Sequence, residues 1–236
     1  MPLAIDIAIA KTNKYASRES GDTVEIVERP GGGMSVIMAD GQGSGRAAKA
    51  LSMLVTAKVA ALLKEGVRDG AAARAANDFL FAMRHGQVSA TLDILSVDLQ
   101  TGTVVITRNS ETACLVATAP GTEVIPGTER PLGTHARTRP WTAEFPTEAG
   151  VRVILVSDGV ARSGARSGLL QLDLAAHACV AGNDAPAAAV AEAILAAAIE
   201  RDGGKPADDM SVVALALREH AETTLIRRMR AEVPLP

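Results

Sequence analysis

Two apolar runs, residues 34–39 and 151–156, each end on an aspartate followed by glycine, at Asp40-Gly41 and Ser157-Asp158-Gly159. A third run, residues 210–217, begins directly after Asp208-Asp209. Short runs bounded in this way predict strands, and the stretch 151–156 predicts a central strand covered on both faces. The chain thus delivers acidic side chains to strand ends from three distant parts of its length, with Asp22 after Gly21 as a fourth. Carboxylates about 4 Å apart at an effective dielectric near 20 repel by on the order of 4 kcal/mol per pair, so such a gathering is tolerated only where protons are shared or cations bound. A set of oxygen ligands favours Mg2+ or Mn2+ over zinc.

Around these points strands and helices can be read from the periodicity. Residues 3–10 and 24–28 predict strands, and residues 30–33 a turn. Ala47, Leu51, Leu54, Val55 and Leu62 recur at helical spacing as far as Gly66, so a strand ending at Asp40 leads through the DGQGSG turn into a long helix. Asp69 is placed to cap a second helix reaching about Arg84. Strands at 89–99, 103–107 and 113–117, parted by short turns such as residues 100–102, predict an antiparallel meander rather than βαβ repeats. Residues 118–140, rich in Pro, Gly, Thr and Arg, predict a surface loop with a short strand at 122–125. Helices at about 168–180 and 185–201 precede the last strand, and the fold class is α+β.

A chain of 236 residues can hide roughly 70% of the surface its unfolded form exposes, so one domain over residues 1–218 is expected. Residues 219–236 read as a basic amphipathic tail able to form a short helix that docks on the domain or on a partner, with Arg227, Arg228 and Arg230 beside Leu225, Ile226 and Met229. The net charge of −3 argues against a nucleic-acid partner. Cys114 and Cys179 form no CxxC pair, and His85, His135, His177 and His220 have no zinc spacing, which suits a disulfide-free cytoplasmic protein. No stretch approaches about 20 apolar residues, so no membrane span is expected, and the opening apolar residues lack the basic region and cleavage site of a signal peptide.

In order along the chain stand S-G-D at 20–22, A-D-G-Q-G-S-G at 39–45, S-A-T-L at 89–92, R-P-L-G at 130–133, V-S-D-G at 156–159 and D-D-M-S at 208–211. This set resembles the motifs of the PPM family of metal-dependent protein serine/threonine phosphatases. It is similar to the compact bacterial branch of SpoIIE-, RsbU- and RsbX-type enzymes, the DGxGSG turn and short length being most like the RsbX type. The resemblance implies an αββα sandwich of two mainly antiparallel sheets flanked by helices, with two divalent cations, Mn2+ or Mg2+, at one edge. It implies that Asp40 bridges both ions with the Gly41 carbonyl beside it, that Asp158 and Asp208 bind one ion, and that Asp22 lies near the other directly or through water. Asp209 stands where the family has Asn or Asp and is the less direct ligand. Catalysis then runs through a water held between the cations, with Asp40 and Asp158 the catalytic aspartates, and needs no cysteine nucleophile.

Two positions depart from the family pattern. Gln42 stands where eukaryotic-type relatives carry a histidine able to protonate the leaving alkoxide, and glutamine cannot act as a general acid. Glu25 stands where SpoIIE-like relatives carry Asp, and Arg18 is the candidate for a phosphate-binding arginine. The implied substrates are phosphorylated STAS-domain regulatory proteins of a stressosome, with a phosphorylated anti-sigma-factor antagonist, the RsbU or SpoIIE role, as the alternative. Residues 118–140 are the candidate recognition segment. A catalytically weak PPM-fold binding module is the reading from another class, supported by Gln42. The GxGxG segment at 41–45 also mimics a dinucleotide-binding turn, but the GxGxxG spacing is not met and an acid at its head would repel pyrophosphate. Taken singly, each Asp-Gly pair suits a tight turn, and it is the ordered set that points to a metal site.

Overall fold

The computed structural model describes residues 2–128, 130–169, 172–174, 185–220 and 226–233. In chain order its elements are β1 (Leu3–Thr12), β2 (Asp22–Glu28), β3 (Met34–Gly41), α1 (Gly45–Lys64), α2 (Asp69–Arg84), β4 (Ala90–Asp98), β5 (Thr103–Asn109) and β6 (Cys114–Thr118). There follow β7 (Gly121–Ile125), β8 (Trp141–Pro146), β9 (Arg152–Val156), the one-turn helix α3 (Asp158–Ala161), a 3-10 turn (Ala165–Ser167), α4 (Ala187–Arg201) and β10 (Met210–Glu219). Two antiparallel sheets, in the orders β1-β10-β9-β6-β7 and β2-β3-β4-β5-β8, pack face to face. Helices α1 and α2 cover the outer face of the second sheet and α4 that of the first, which is the αββα sandwich expected.

Strand periodicity decides which layer each residue enters. Along β3, Val36 and Met38 point between the sheets while Ile37 and Ala39 pack under α1. Continued by two more residues, the same alternation turns Asp40 inward and Gly41 toward α1, where a Cβ would stand 2.2 Å from the Ala48 carbonyl oxygen. Along β10, Val213 and Leu215 point inward, Met210, Val212 and Ala214 face α4, and Ser211 is again an inward position. The layer between the sheets is therefore apolar through its middle and becomes polar at one end, and that end is where the acids gather.

Four local expectations need correction. The meander breaks after β5, because β6 crosses to the other sheet and pairs with β7 and β9. Strand β8 was not expected. It is an edge strand, paired with β5 and with no other strand among the described residues. Trp141, Ala143 and Phe145 alternate with Thr142 and Glu144, but the run is only 6 residues long and is bounded by Pro140 and Pro146, which reads as loop. Asp69 is the first residue of α2 and makes no capping bond; its buried carboxylate pairs with Arg29, which also reaches the Ser35 and Ser96 hydroxyls. Residues 226–233 form no helix or strand, so no amphipathic helix is found in that part of the tail, and Arg227 makes an exposed pair with Glu28 at 3.6 Å. Cys114 is a free thiol in the inter-sheet core, whereas Cys179, His177 and most of the helix expected at 168–180 lie outside the described residues. No helix of the described residues is long and apolar enough to cross a membrane.

Candidate metal centre

The polar end of the inter-sheet layer opens to solvent as a cavity of about 290 Å3 lined by Asp22, Asp40, Glu111, Asp158, Asp208 and Asp209, with no basic side chain among the described residues that line it. Asp22 and Asp40 stand directly opposite each other across β2 and β3. Like charges in that relation destabilise a sheet, so the register itself carries an unfavourable contact. Strand β9 ends at Val156, and Asp158 opens α3. The start of β10 lies against that turn so closely that a Cβ on Gly159 would be 2.1 Å from the Asp209 carbonyl oxygen. Gly41 and Gly159 both lack a positive φ, and the left-handed glycines of the first motif are Gly43 at 98° and Gly45 at 67°. The two Asp-Gly pairs thus mark close backbone approach rather than tight turns.

Hydrogen bonding divides the acids. Asp22, only 1% exposed, accepts from the Ser211 hydroxyl at 2.7 Å, and burial pushes its carboxyl up to about 6. Its backbone carbonyl accepts from Lys49 Nζ at 2.8 Å and Lys11 Nζ at 3.0 Å. Asp209 takes the Lys14 N–H on Oδ1 at 2.8 Å and the Gly21 N–H on Oδ2 at 2.7 Å, so both of its oxygens tie the segment before β2 to the start of β10. Asp208 accepts from the Asp209 N–H at 3.1 Å and has Lys14 Nζ 3.8 Å away. Asp158 accepts from Arg162 at 3.2 Å; burial pushes its carboxyl up, Asp208 and Glu111 add to this, and Arg162 opposes it. Asp40 is the exception, since no hydrogen-bond donor among the described residues reaches its carboxylate. Burial first, and then repulsion from Asp22, Asp158, Asp208 and Asp209, pushes that carboxyl up to about 8.

Among the described residues no group of three or more Asp, Glu, His or Cys side chains stands ready to hold an ion. The division above gives the physical account, because Asp22, Asp158 and Asp209 turn oxygens to internal donors. The donor set nevertheless fits hard divalent cations: it is all oxygen, and Asp40, whose carboxylate no donor among the described residues reaches, sits among the other acids.

The structure brings Asp22, Asp40, Gly41, Asp158 and Asp208 to one cavity, with Asp209 beside them. Gln42 lines it too, but its Oε1 accepts from the Ser89 N–H at 2.9 Å while its own N–H donates to the Ser89 carbonyl, fastening the DGQGSG turn to the start of β4. Arg18 and Glu25 do not line it. Sequence reasoning missed Glu111 and Arg162, which fall outside every motif, and the buried pair of Asp93 with Arg108 at 2.7 Å below the cavity. That pair had a signal available, an acid and a base on inward positions of neighbouring strands.

The family model described as "Stage II sporulation protein E (SpoIIE)" matches residues 30–218. The curated stage II sporulation protein E of Priestia megaterium is 23% identical over 156 residues, a match covering 66% of this chain and 27% of that protein, so the chain spans about a quarter of its relative's length. Three solved structures share the fold. The phosphatase domain of SpoIIE from Bacillus subtilis, with a fragment of its regulatory domain, aligns at TM-score 0.77 and 21% identity over 90% of this chain and 63% of that one. RsbX in complex with magnesium aligns at TM-score 0.69 and 16% identity, covering 90% and 95%. The catalytic domain of the serine/threonine phosphatase PstP with two manganese ions aligns at TM-score 0.68 and 18% identity, covering 92% and 100%. With four fifths of its length matched by the family model, the chain belongs to the SpoIIE family, and it has the fold of the solved phosphatase structures named above.

Proposed function

We propose that this chain hydrolyses phosphoserine or phosphothreonine on regulatory proteins, with Asp40, the Gly41 carbonyl, Asp158 and Asp208 holding two Mn2+ or Mg2+ ions and Asp22 acting near one of them. The observation that carries this reading is the Asp40 carboxylate, set opposite Asp22, surrounded by aspartates and reached by no donor among the described residues. Divalent cations held by these residues would supply an acidified water for in-line attack on phosphorus and charge to neutralise the phosphoryl oxygens. The chain's own residues prepare the geometry. Asp209 clamps the segment before β2 to β10, and Gly41 and Gly159 let β3 and α3 approach their neighbours without a side chain between. Gln42, fixed on Ser89, can hold a phosphoryl oxygen by hydrogen bonding but cannot give it a proton.

The substrate class proposed is a phosphorylated STAS-domain protein of a stressosome in the cytoplasm, with a phosphorylated anti-sigma-factor antagonist as the alternative. Similarity to RsbX and to SpoIIE supports these readings respectively. Residues 118–140 remain the candidate recognition segment, because Pro131 lines the cavity and Gly127 and Thr128 line the one next to it. The phosphatase unit is taken as residues 1–218, with 219–236 a tail. The test is phosphate release from a phosphorylated STAS protein with and without Mn2+, using wild type and Asp40→Asn. Metal-dependent release lost in the variant is expected, whereas no release from any phosphoprotein tried would favour a binding module.

A further inference from the structure

Arg162 stands at the wall between the candidate metal centre and a second cavity of about 360 Å3. Its Nη1 donates to Asp158 Oδ2 at 3.2 Å and its Nη2 to Glu111 Oε2 at 3.3 Å. The arginine follows α3 four residues after Asp158, so the helical turn itself brings the two together. A guanidinium is charged at every working pH. One of the carboxylates assigned above to a divalent ion therefore already holds a cation belonging to the chain. Its side chain is 58% exposed, and the ion pairs it makes among the described residues are with these two acids. Glu111 lines both cavities and offers the guanidinium a second anchor once Asp158 is taken.

We propose that Arg162 is a tethered counter-ion that competes with the divalent cation for Asp158 and so sets the metal affinity of the site, Glu111 keeping the guanidinium at the rim when it is displaced. The inference rests on the metal-centre reading above. Arg162 is a positioning residue in this account. It lowers repulsion at Asp158 in the metal-free protein, and a metal ion at Asp158 meets the repulsion of its charge.

Calorimetric titration of the whole chain with Mn2+ tests this, comparing wild type with Arg162→Lys, Arg162→Gln and Arg162→Glu, and with Asp40→Asn as the control for the centre itself. Removing the charge is expected to tighten Mn2+ binding about two- to fivefold, the range an exposed ion pair of this kind allows. Reversing the charge should tighten it further, and Arg162→Lys should stay near wild type. The gap between wild type and Arg162→Gln should narrow in about 1 M salt, where charges beyond roughly 3 Å are screened. If Arg162→Gln does not fold, Arg162→Glu makes the same comparison. Unchanged or weaker affinity in both charge-removing variants, with Asp40→Asn defective, overturns the role of Arg162 and leaves the centre standing. Wild-type Mn2+ affinity in Asp40→Asn overturns the centre and this inference with it.

Discussion

Asp40 gives the metal-free protein a characteristic response to pH. Its carboxyl is pushed up to about 8 and that of Asp22 to about 6, both above the ordinary 3.8. The folded chain therefore binds more protons than the unfolded chain between those limits. The stability these two groups contribute is fully present below 3.8 and is lost as pH rises through 6 and then 8. Without metal, the melting temperature is expected to fall between pH 5 and pH 8, and Asp40→Asn should flatten the upper part of that fall. At pH 8 the variant should melt at least about 3 °C above wild type, the shift that roughly 1 kcal/mol produces in a chain of this size. A variant that melts at or below wild type would remove the repulsion assigned to Asp40. Asp40 and Asp158 could be read from sequence because an apolar strand ending on Asp-Gly is a local pattern. Glu111 could not, since what matters about it is a neighbour 51 residues away, and Arg162, although four residues from Asp158, falls outside the motif that drew attention to that acid.

At the scale of an element, the two residues directly before β10 give adjacent acids different tasks. Asp209 is buried with both oxygens on backbone N–H groups, while Asp208 borders the cavity. Asp209→Ala would leave the Lys14 and Gly21 N–H groups without their partner, a loss of about 2–4 kcal/mol for buried charge-assisted bonds. Asp208→Ala should cost little stability and most of the Mn2+ affinity. Urea denaturation and Mn2+ titration of the two variants should therefore rank them in opposite orders, and the same order in both assays would refute the division. The sequence shows D-D-M-S but not this physical reason, which lies in contacts made across the chain. For the same reason the strands and long helices with clear apolar periods were legible, whereas the crossing of β6 to the other sheet depends on pairing with β9, and Asp69 was misread as a cap because Arg29 is 40 residues away.

At the scale of the whole molecule, the two sheets are joined beneath the site by polar groups rather than by the apolar layer alone. Asp93 on β4 pairs with Arg108 on β5, their side chains 2% and 0% exposed. Arg108 also donates to the Thr112 carbonyl at 2.6 Å, and the Thr112 hydroxyl donates to the Val156 carbonyl at 2.9 Å, at the end of β9 in the other sheet. The α+β class follows from periodicity and the sandwich from resemblance, but neither announces this link, whose members meet only once both sheets exist. Arg108 Nη1 is buried with no oxygen or nitrogen partner among the described residues, and the guanidinium lies beside the Cys114 thiol. A buried ion pair costs little to replace whole and much to break. Arg108→Met alone should lose about 3–5 kcal/mol by leaving the Asp93 carboxylate buried without its counter-charge, while Arg108→Met combined with Asp93→Leu should regain most of that loss. The double variant should nonetheless bind Mn2+ more weakly, because the end of β9, two residues before Asp158, loses its tie to the opposite sheet. A four-way cycle of urea denaturation and Mn2+ titration separates the two effects. Recovery of stability without loss of affinity would make the pair a packing feature only, and recovery with loss would make it the part of the core that holds the two halves of the site in register.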